Sequence, residues 1–203
     1  MPPAARVNRE MILNAVLDIT RKDGFDAVNA RSIAVGLNSS TRPIFTCYKN
    51  MDELKEDFLA FAYEYYERYV AEYENSAHTS PPLVLPLSYV RFAREETCLF
   101  QLLFVHDMQM NMTEIKKFYE EPDNEKRARL FAENTGLEAD RARVLFLDVF
   151  LYTHGIAVLT AAGKISLDEK AVEQMISNVL SAFLQQEKAG RNAGVQVQKE
   201  GTA

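Results

Sequence analysis

Residues 29–48 read NARSIAVGLNSSTRPIFTCY, and this stretch decides the fold. Ile33, Leu37 and Ile44 are apolar, with a spacing that would pack two short helices against a preceding one. Asn38 lies between these two helices, and asparagine is, after glycine, the residue that best tolerates the positive φ of a tight turn. The pattern therefore predicts a helix-turn-helix.

The ends of the predicted helices are marked by residues that cap or end helices. Asn29 is a candidate N-cap for the second helix, and Ser40 is one for a third helix over about 41–48. Upstream, an apolar stripe predicts a first helix over 8–23, and Gly24 follows it where a left-handed residue is favoured. The N-terminal segment is thus predicted to be a three-helix unit.

The predicted third helix carries short polar side chains and one arginine on its outer face. They are Ser40, Thr41, Arg42 and Thr46. Such side chains contact base edges and phosphates in the major groove of DNA. A helical hairpin without a DNA-binding role would show the same two short helices, so the pattern alone leaves both interpretations open.

The charge distribution separates the N-terminal segment from the rest of the chain. Residues 1–51 hold seven basic and four acidic groups, a net charge of +3. The whole chain has a net charge of −6, so the remainder carries −9. A basic segment on an acidic body is typical of a small nucleic-acid-facing domain attached to a larger one, although ordinary charge scatter would also produce it.

The rest of the chain also indicates helices, because glycine and proline are sparse and no alternating strand pattern appears. Asn50 with Glu53 forms a capping-box-like start for a long fourth helix, and Ser166 with Glu169 does so for the last helix. The polar segment 111–123 is predicted to be a connection. The helices predicted after the third span about 51–76, 84–96, 98–109, 124–135, 138–162 and 168–186.

Length and composition exclude several classes of protein. The chain has 203 residues, 47% hydrophobic and 26% charged, which suits one large or two small globular domains. We find no apolar run of about 18 residues and no signal peptide, and we expect a cytoplasmic protein that spans no membrane. Cys47 and Cys98 are then expected to be reduced. No motif for phosphate binding, nucleophilic catalysis or metal binding occurs, so we expect no cofactor, no metal site and no catalytic residue.

A wider window, about residues 6–60, resembles the N-terminal domain of the tetracycline-repressor (TetR/AcrR) family of bacterial transcriptional regulators. Three positions differ from the family pattern: Phe45 replaces the usual tyrosine, Cys47 an aromatic residue or histidine, and Asn38 the usual turn glycine. The rest of the chain agrees in architecture. The residues that agree in register are Arg9, Ile12, Ala15, Val16, Ile19, Gly24, Phe25, Ile33, Ala34, Ser40, Ile44, Tyr48, Lys49, Asn50, Asp52, Glu53 and Leu54.

The resemblance implies an all-α homodimer that binds a palindromic DNA operator as a repressor and is released by a small molecule. A helix-turn-helix domain over 6–60 would be joined by the fourth helix to a ligand-binding and dimerisation domain over 61–186, followed by a polar tail over 187–203. The residues implied at the DNA interface are Arg31, Ser40, Thr41, Arg42, Pro43, Phe45, Thr46, Tyr48 and Lys49.

The last two predicted helices are candidates for the dimer interface, because the apolar stripe of the final one is too long to leave in water. In this family such a pair meets its symmetry mate as a four-helix bundle. The alternative is that both helices are used in the core of the single chain. The residues expected to mediate dimerisation are Val172, Met175, Ile176, Val179, Leu180 and Phe183.

Bodies of this type usually enclose a ligand cavity. Because no arginine or lysine occurs among the candidate lining residues, a lipophilic ligand, neutral or cationic, is expected, oriented by His154 or Tyr89. The candidates are Tyr89, Phe92, Leu103, Phe104, Met108, Phe146, Phe150 and His154.

Several alternatives to this interpretation stay open at this point. The aromatic side chains would equally fill an ordinary core, and His106 and His154 are expected to be core histidines that bond a neighbour. The protein would then be controlled by a protein partner or by no effector. An all-α enzyme that binds a small molecule is a more remote alternative.

Overall fold

A computed structural model describes residues 7–76, 79–106, 115–120 and 122–200, with the side chains of 115, 122 and 190–200 left out. Every regular element in these ranges is helical, which confirms the all-α prediction. The helices are α1 (Arg9–Asp23), α2 (Ala30–Gly36), α3 (Ile44–Cys47), α4 (Met51–Ser76), α5 (Pro81–Glu95), α6 (Thr97–Gln101), α7 (Ile115–Glu120), α8 (Pro122–Thr135), α9 (Ala139–Ala161) and α10 (Glu169–Glu200), with a 3-10 turn at Phe25–Ala27 and a π-helical turn at Leu102–His106.

The first helix begins and ends where the sequence predicts. The Asn8 side chain accepts a hydrogen bond from the backbone N–H of Met11 at 2.9 Å, which caps the helix. Gly24 has φ +83°, and its N–H donates to the Thr20 carbonyl at 3.0 Å. The buried face of α1 includes Ile12 and Val16, both fully buried in the core shared with α2 and α3.

The second helix has the cap predicted for it. Asn29 Oδ1 accepts the N–H groups of Arg31 and Ser32 at 3.0 and 3.1 Å, and Ser32 Oγ accepts the Asn29 N–H at 3.0 Å. This reciprocal pair is a capping box. Asn38 follows with φ +46°, the left-handed turn that its sequence position predicted.

The third helix is shorter than predicted. It spans Ile44–Cys47 instead of 41–48, and its N-cap is Pro43 rather than Ser40. The chain enters through a tight turn, in which Ile44 N–H donates to the Thr41 carbonyl at 3.2 Å. The physical reason is Pro43, which disfavours helical geometry at Arg42, the residue before it.

We call α1–α3 with the first turns of α4 the head, and the remaining helices the body. Helix α4 belongs to both. Its start is fixed by Asn50 Oδ1, which accepts the Glu53 N–H at 2.8 Å, while Glu53 Oε2 accepts the Lys49 N–H at 2.6 Å. The predicted capping box therefore forms, but Glu53 accepts its hydrogen bond from the Lys49 N–H instead of the Asn50 N–H. Phe58 stacks on Phe25 at 5.6 Å between centroids in the head, and Tyr66 lies buried in the body.

The body is built around α5 and α9, which pack along each other, and α8 also packs against α9. Fully buried Phe92 and Ala93 of α5 and Ala157 of α9 belong to this core. Helix α10 packs against both α5 and α9 through Ile176, which is also fully buried. The core of the body therefore uses all the long helices of the single chain.

Three boundaries in the body correct the sequence-based expectations. Segment 111–123 was expected to be a connection, yet Ile115–Glu120 is helical. The last helix continues to Glu200 rather than ending near 186. Its cap is Asp168, whose Oδ1 accepts the Ala171 N–H at 2.7 Å, and not Ser166, because a carboxylate three residues before that N–H has the right reach.

One helix in the described ranges is long and apolar enough to cross a membrane, although none was expected from the sequence. It is α9, and 39% of its most apolar window is buried inside the protein. Asp148 interrupts its apolar stretch, but the mean hydropathy of this window is still 1.8. Helix α9 packs against α5 and α8, and part of its apolar side stays exposed.

Candidate nucleic-acid interface

The side chains of α3 and of the residues beside it lie on two faces, one buried and one exposed. Ile44 and Tyr48 point inward and are 1% and 5% exposed. The remaining side chains of α3, with those just before and after it, form an outer surface. Its exposed members are Ser40, Arg42, Phe45, Thr46, Cys47 and Lys49, and Thr41 and Pro43 are half-buried.

This outer surface offers the groups that the chemistry of DNA requires. Arg42 and Lys49 are exposed cations, and Arg31 is a third at the start of α2. Thr46 Oγ1 donates to the Arg42 carbonyl at 3.0 Å, which fixes the hydroxyl and leaves its lone pairs outward as acceptors. Arginine, threonine and lysine are therefore presented together by one short helix and its flanks.

Tyr48 does not belong to this surface, which corrects its place among the predicted DNA contacts. Its ring is buried, and its hydroxyl donates to Asp57 Oδ2 at 2.5 Å. Burial raises the pKa of Tyr48 above its usual range, so the hydroxyl keeps its proton. Tyr48 thus joins the end of α3 to α4 and has no free hydroxyl to offer a phosphate.

Asp57 is also bound by Arg9, a contact that could not be predicted from the sequence. Arg9 Nε donates to Asp57 Oδ2 at 2.7 Å, and a second guanidinium nitrogen pairs with Oδ1. This pairing holds the pKa of Asp57 below its ordinary value. The carboxylate therefore joins α1, α3 and α4, and 48 positions separate it from Arg9.

In the body, the predicted ligand-lining residues form a packed aromatic cluster. Phe104 lies 4.9 Å from Tyr66 and 5.1 Å from Tyr89, measured between ring centroids. Phe92 is fully buried, Leu103 packs at the edge of the same core, and Met108 lies outside the described residues. Phe146 and Phe150 extend the cluster through Phe118, at 6.1 and 5.2 Å.

His154 is held within the aromatic cluster. Its Nδ1 lies 3.0 Å from the Tyr89 hydroxyl, and its ring stacks on Phe150 at 5.6 Å. Burial lowers the pKa of His154 below its usual value, so the imidazole is neutral near pH 7. His154 is satisfied by a neighbour, as expected, whereas His106 is exposed and is not a core histidine.

Two polar groups near this cluster were missed from the sequence. Arg127 of α8 lies over the Tyr66 ring, 5.8 Å from its centroid, and pairs with Glu67. The Thr153 hydroxyl of α9 is buried and has no hydrogen-bond partner among the described residues. Neither group follows a recognisable motif, because each depends on which helices meet.

The residues expected at the dimer interface divide into two sets. Val172, Ile176 and Leu180 are 5%, 0% and 5% exposed within the single chain. They are used in the core of the body, which is the alternative left open by the sequence. Met175, Val179 and Phe183 are half-buried. Some apolar side chains of α9 are also left in water: Val144, Leu151 and Leu159 are 48%, 49% and 47% exposed.

Comparison with known families finds no family model that matches the chain, and no curated protein matches it. Solved structures do match. A TetR-like transcriptional regulator from Rhodococcus sp. RHA1 is 17% identical, over 91% of this chain and 98% of that one, with a TM-score of 0.61. A Clostridium perfringens protein described as a fatty acid metabolism regulator is 13% identical over 84% and 97%, with a TM-score of 0.52.

These similarities define the fold. The chain is an all-α protein with the fold of TetR-like transcriptional regulators, as the helix-turn-helix segment predicted. The match covers head and body together, since it extends over nine-tenths of the chain.

Proposed function

We propose that this protein is a cytoplasmic transcriptional repressor that binds a palindromic DNA operator as a homodimer. One observation carries the proposal. The short helix α3 and the residues beside it bury Ile44 and Tyr48 and present Arg42, Thr46 and Lys49 outward. Such side chains read base edges and hold phosphates. The fold supports the proposal, because in TetR-like regulators this region is the helix-turn-helix.

Within this surface we assign different tasks to the residues. Arg42 is proposed to contact a base edge, while Arg31 and Lys49 contact phosphates on either side. Ser40, Thr41, Pro43, Phe45 and Thr46 complete the groove-facing surface. Phe45 is 49% exposed, and its ring suits contact with a thymine methyl group.

Salt-dependent binding to duplex DNA tests this assignment. We expect wild-type affinity for a random-sequence duplex to fall steeply with salt, because each neutralised phosphate releases counterions. Lys49→Ala should reduce the slope of log affinity against log salt by about 1. Lys126→Ala, an exposed lysine on α8 of the body, is the matched control and should leave the slope unchanged. Equal slopes for all three proteins would contradict the proposed interface.

Homodimerisation is proposed to use the exposed apolar side of α9 together with α10. Val144, Leu151 and Leu159 recur at helical spacing on one side of α9 and remain in water in the single chain. Met175, Val179 and Phe183, half-buried on α10, extend the same proposal. A two-fold contact through these helices would bring the two heads onto one face of the DNA.

A small lipophilic effector, neutral or cationic, is the proposed signal for release. The support is the aromatic cluster, with the Tyr89–His154 pair as a source of one orienting hydrogen bond. The candidate lining residues are Tyr89, Phe92, Leu103, Phe104, Met108, Phe146, Phe150 and His154. A panel of aromatic amphiphiles tested by thermal shift checks this, since a ligand selective for the native state raises its stability.

Control by a protein partner, or by no effector, is the second candidate. The tight contacts among Tyr66, Tyr89 and Phe104 favour it, because these rings already fill the space between them. An effector must bind the DNA-free state more tightly, and DNA must then weaken effector binding by the same factor. Thermal shifts that are identical with and without DNA would therefore favour the second candidate.

A further inference from the structure

The head and the body meet at a charged contact that the DNA-binding surface does not include. Arg21 lies near the end of α1, and Glu96 lies at the corner between α5 and α6. Arg21 Nε donates to Glu96 Oε2 at 2.8 Å, and a second guanidinium nitrogen pairs with Oε1. The pair is bidentate and spans 75 positions of sequence.

A third residue completes this contact from α4. The Tyr65 hydroxyl donates to Glu96 Oε1 at 2.9 Å, and the Arg21 guanidinium lies 5.0 Å from the centre of the Tyr65 ring. Burial, followed by the bond to Glu96, raises the pKa of Tyr65 to about 12, so its hydroxyl keeps the proton it donates. We call Arg21, Tyr65 and Glu96 the head–body latch.

The latch has the geometry of an orienting contact. A bidentate guanidinium–carboxylate pair fixes both the distance and the angle between its partners. The Glu96 side chain is only 11% exposed, so water screens the pair less than it would at an open surface. The three residues belong to α1, to α4 and to the α5–α6 corner, so together they restrict rotation of the head about α4.

The position of Glu96 also connects the latch with the aromatic cluster. Helix α6 begins at Thr97, directly after Glu96, and continues into the π-helical turn Leu102–His106. Phe104 in that turn packs on Tyr66 and Tyr89. A π-helical turn is rare and often marks a functional position. Phe104 and Glu96 are therefore connected by one short helical segment, so a displacement of Phe104 would be expected to move Glu96.

We infer that the head–body latch sets the orientation of the DNA-binding head relative to the body, and that this orientation determines affinity for the operator. The inference rests on the proposed function for its second part only. Arg21, Tyr65 and Glu96 are positioning residues that do not contact DNA themselves.

Distance measurements between the head and the body test the first part. With Cys98→Ser, Cys47 on the outer surface of α3 is the one native thiol left for a spin label, and Glu133→Cys on exposed α8 supplies the second. Labelled chains are diluted with unlabelled ones so that only distances within a chain are read. We expect Glu96→Gln to shift or broaden the head-to-body distance distribution.

Glu125→Gln is the matched control. Glu125 also accepts two partners, Arg143 and Arg129, but all three residues lie in the body. The head-to-body distance distribution of Glu125→Gln should equal that of the wild type. A wild-type distribution for Glu96→Gln would overturn the inference. If Glu96→Gln fails to fold, as judged by circular dichroism, Tyr65→Phe is read in the same way, because it keeps the ring and removes the two hydrogen bonds of the hydroxyl, to Glu96 and from Arg21.

Operator affinity tests the second part. Coupling between sites is typically about 5- to 150-fold, so we expect Glu96→Gln to change operator affinity by roughly fivefold or more, with Glu125→Gln unchanged. An altered distance distribution with unaltered affinity would overturn the link between orientation and binding. If the wild type itself binds no DNA, the proposed function fails, and the distance measurements still decide whether the latch orients the head.

Discussion

At the scale of single residues, Tyr48 and Asp57 show how α3 is held in place. The Tyr48 hydroxyl donates to Asp57, and the ring is buried under α3. We predict that Tyr48→Phe lowers the free energy of unfolding by about 1.5–3 kcal/mol, because a hydrogen bond to a charged group is lost. Chemical denaturation measures this loss. The salt dependence of DNA binding should stay as in the wild type, and a shallower slope would return Tyr48 to the phosphate contacts.

The second prediction concerns the Asp57 carboxylate and the pH dependence of stability. Arg9 lowers the pKa of Asp57, so the ionised carboxylate is favoured in the folded state. Its contribution to stability is present above the unfolded pKa of about 4 and is lost as pH falls through the lower folded value. At pH 7, Asp57→Asn should therefore melt below the wild type.

The difference between the two melting temperatures should shrink as the pH is lowered below about 4. Thermal unfolding followed by circular dichroism over a pH series measures it. A difference that stays constant across the series would show that the pairing with Arg9 and Tyr48 contributes through packing alone.

At the scale of elements, the helices were predictable where local signals fix them. The cap at Asn29 and the turn at Asn38 act within a few residues, and each was found in its predicted place. The third helix was predicted too long because Ser40 looked like a cap, while Pro43 disfavours helical geometry at Arg42, and the regular helix begins only at Ile44. Local rules compete at such positions, and here the restriction that proline places on the residue before it prevails.

The contacts between helices could not be read from the sequence. The stripe of α10 indicated burial correctly, but whether the same chain or a second copy covers Ile176 depends on the tertiary arrangement. The same holds for Arg9–Asp57 and Arg127–Tyr66, whose partners are far apart in sequence. The outer face of α3 was predictable because its alternation of buried and exposed residues is local.

A further prediction concerns the buried hydroxyl of Thr153 on α9 and its effect on stability. Thr153 is 2% exposed, and its Oγ1 has no partner among the described residues. Because valine has the same shape without the hydroxyl, we expect Thr153→Val to stabilise the fold by about 1 kcal/mol. Urea denaturation measures the change. Destabilisation by a similar amount would mean that the hydroxyl is hydrogen-bonded in solution.

At the scale of the whole molecule, the proposed homodimer depends on the exposed side of α9. We predict that Leu151→Glu with Leu159→Glu gives a folded monomer, since these side chains are about half exposed in the single chain and a buried charge would oppose association. Sedimentation and circular dichroism check the mass and the fold. A folded dimer would exclude this side of α9 from the interface.

Ile176→Glu is the contrasting variant for this prediction. Ile176 is fully buried in the core of one chain, so a charge there should unfold the protein instead of merely separating two copies. Loss of the circular dichroism signal for Ile176→Glu, with a native signal for the α9 variant, would distinguish the monomer core from the interface.

The central claim is that α3 reads DNA sequence, and selection of bound duplexes from a random pool tests it most directly. For the wild type we predict an enriched palindrome. Arg42→Ala should relax the preference at one position of each half-site, with a loss of about 1–3 kcal/mol if Arg42 reads a guanine. An unenriched pool for the wild type, or the same enriched sequence with undiminished preference for Arg42→Ala, would contradict the account.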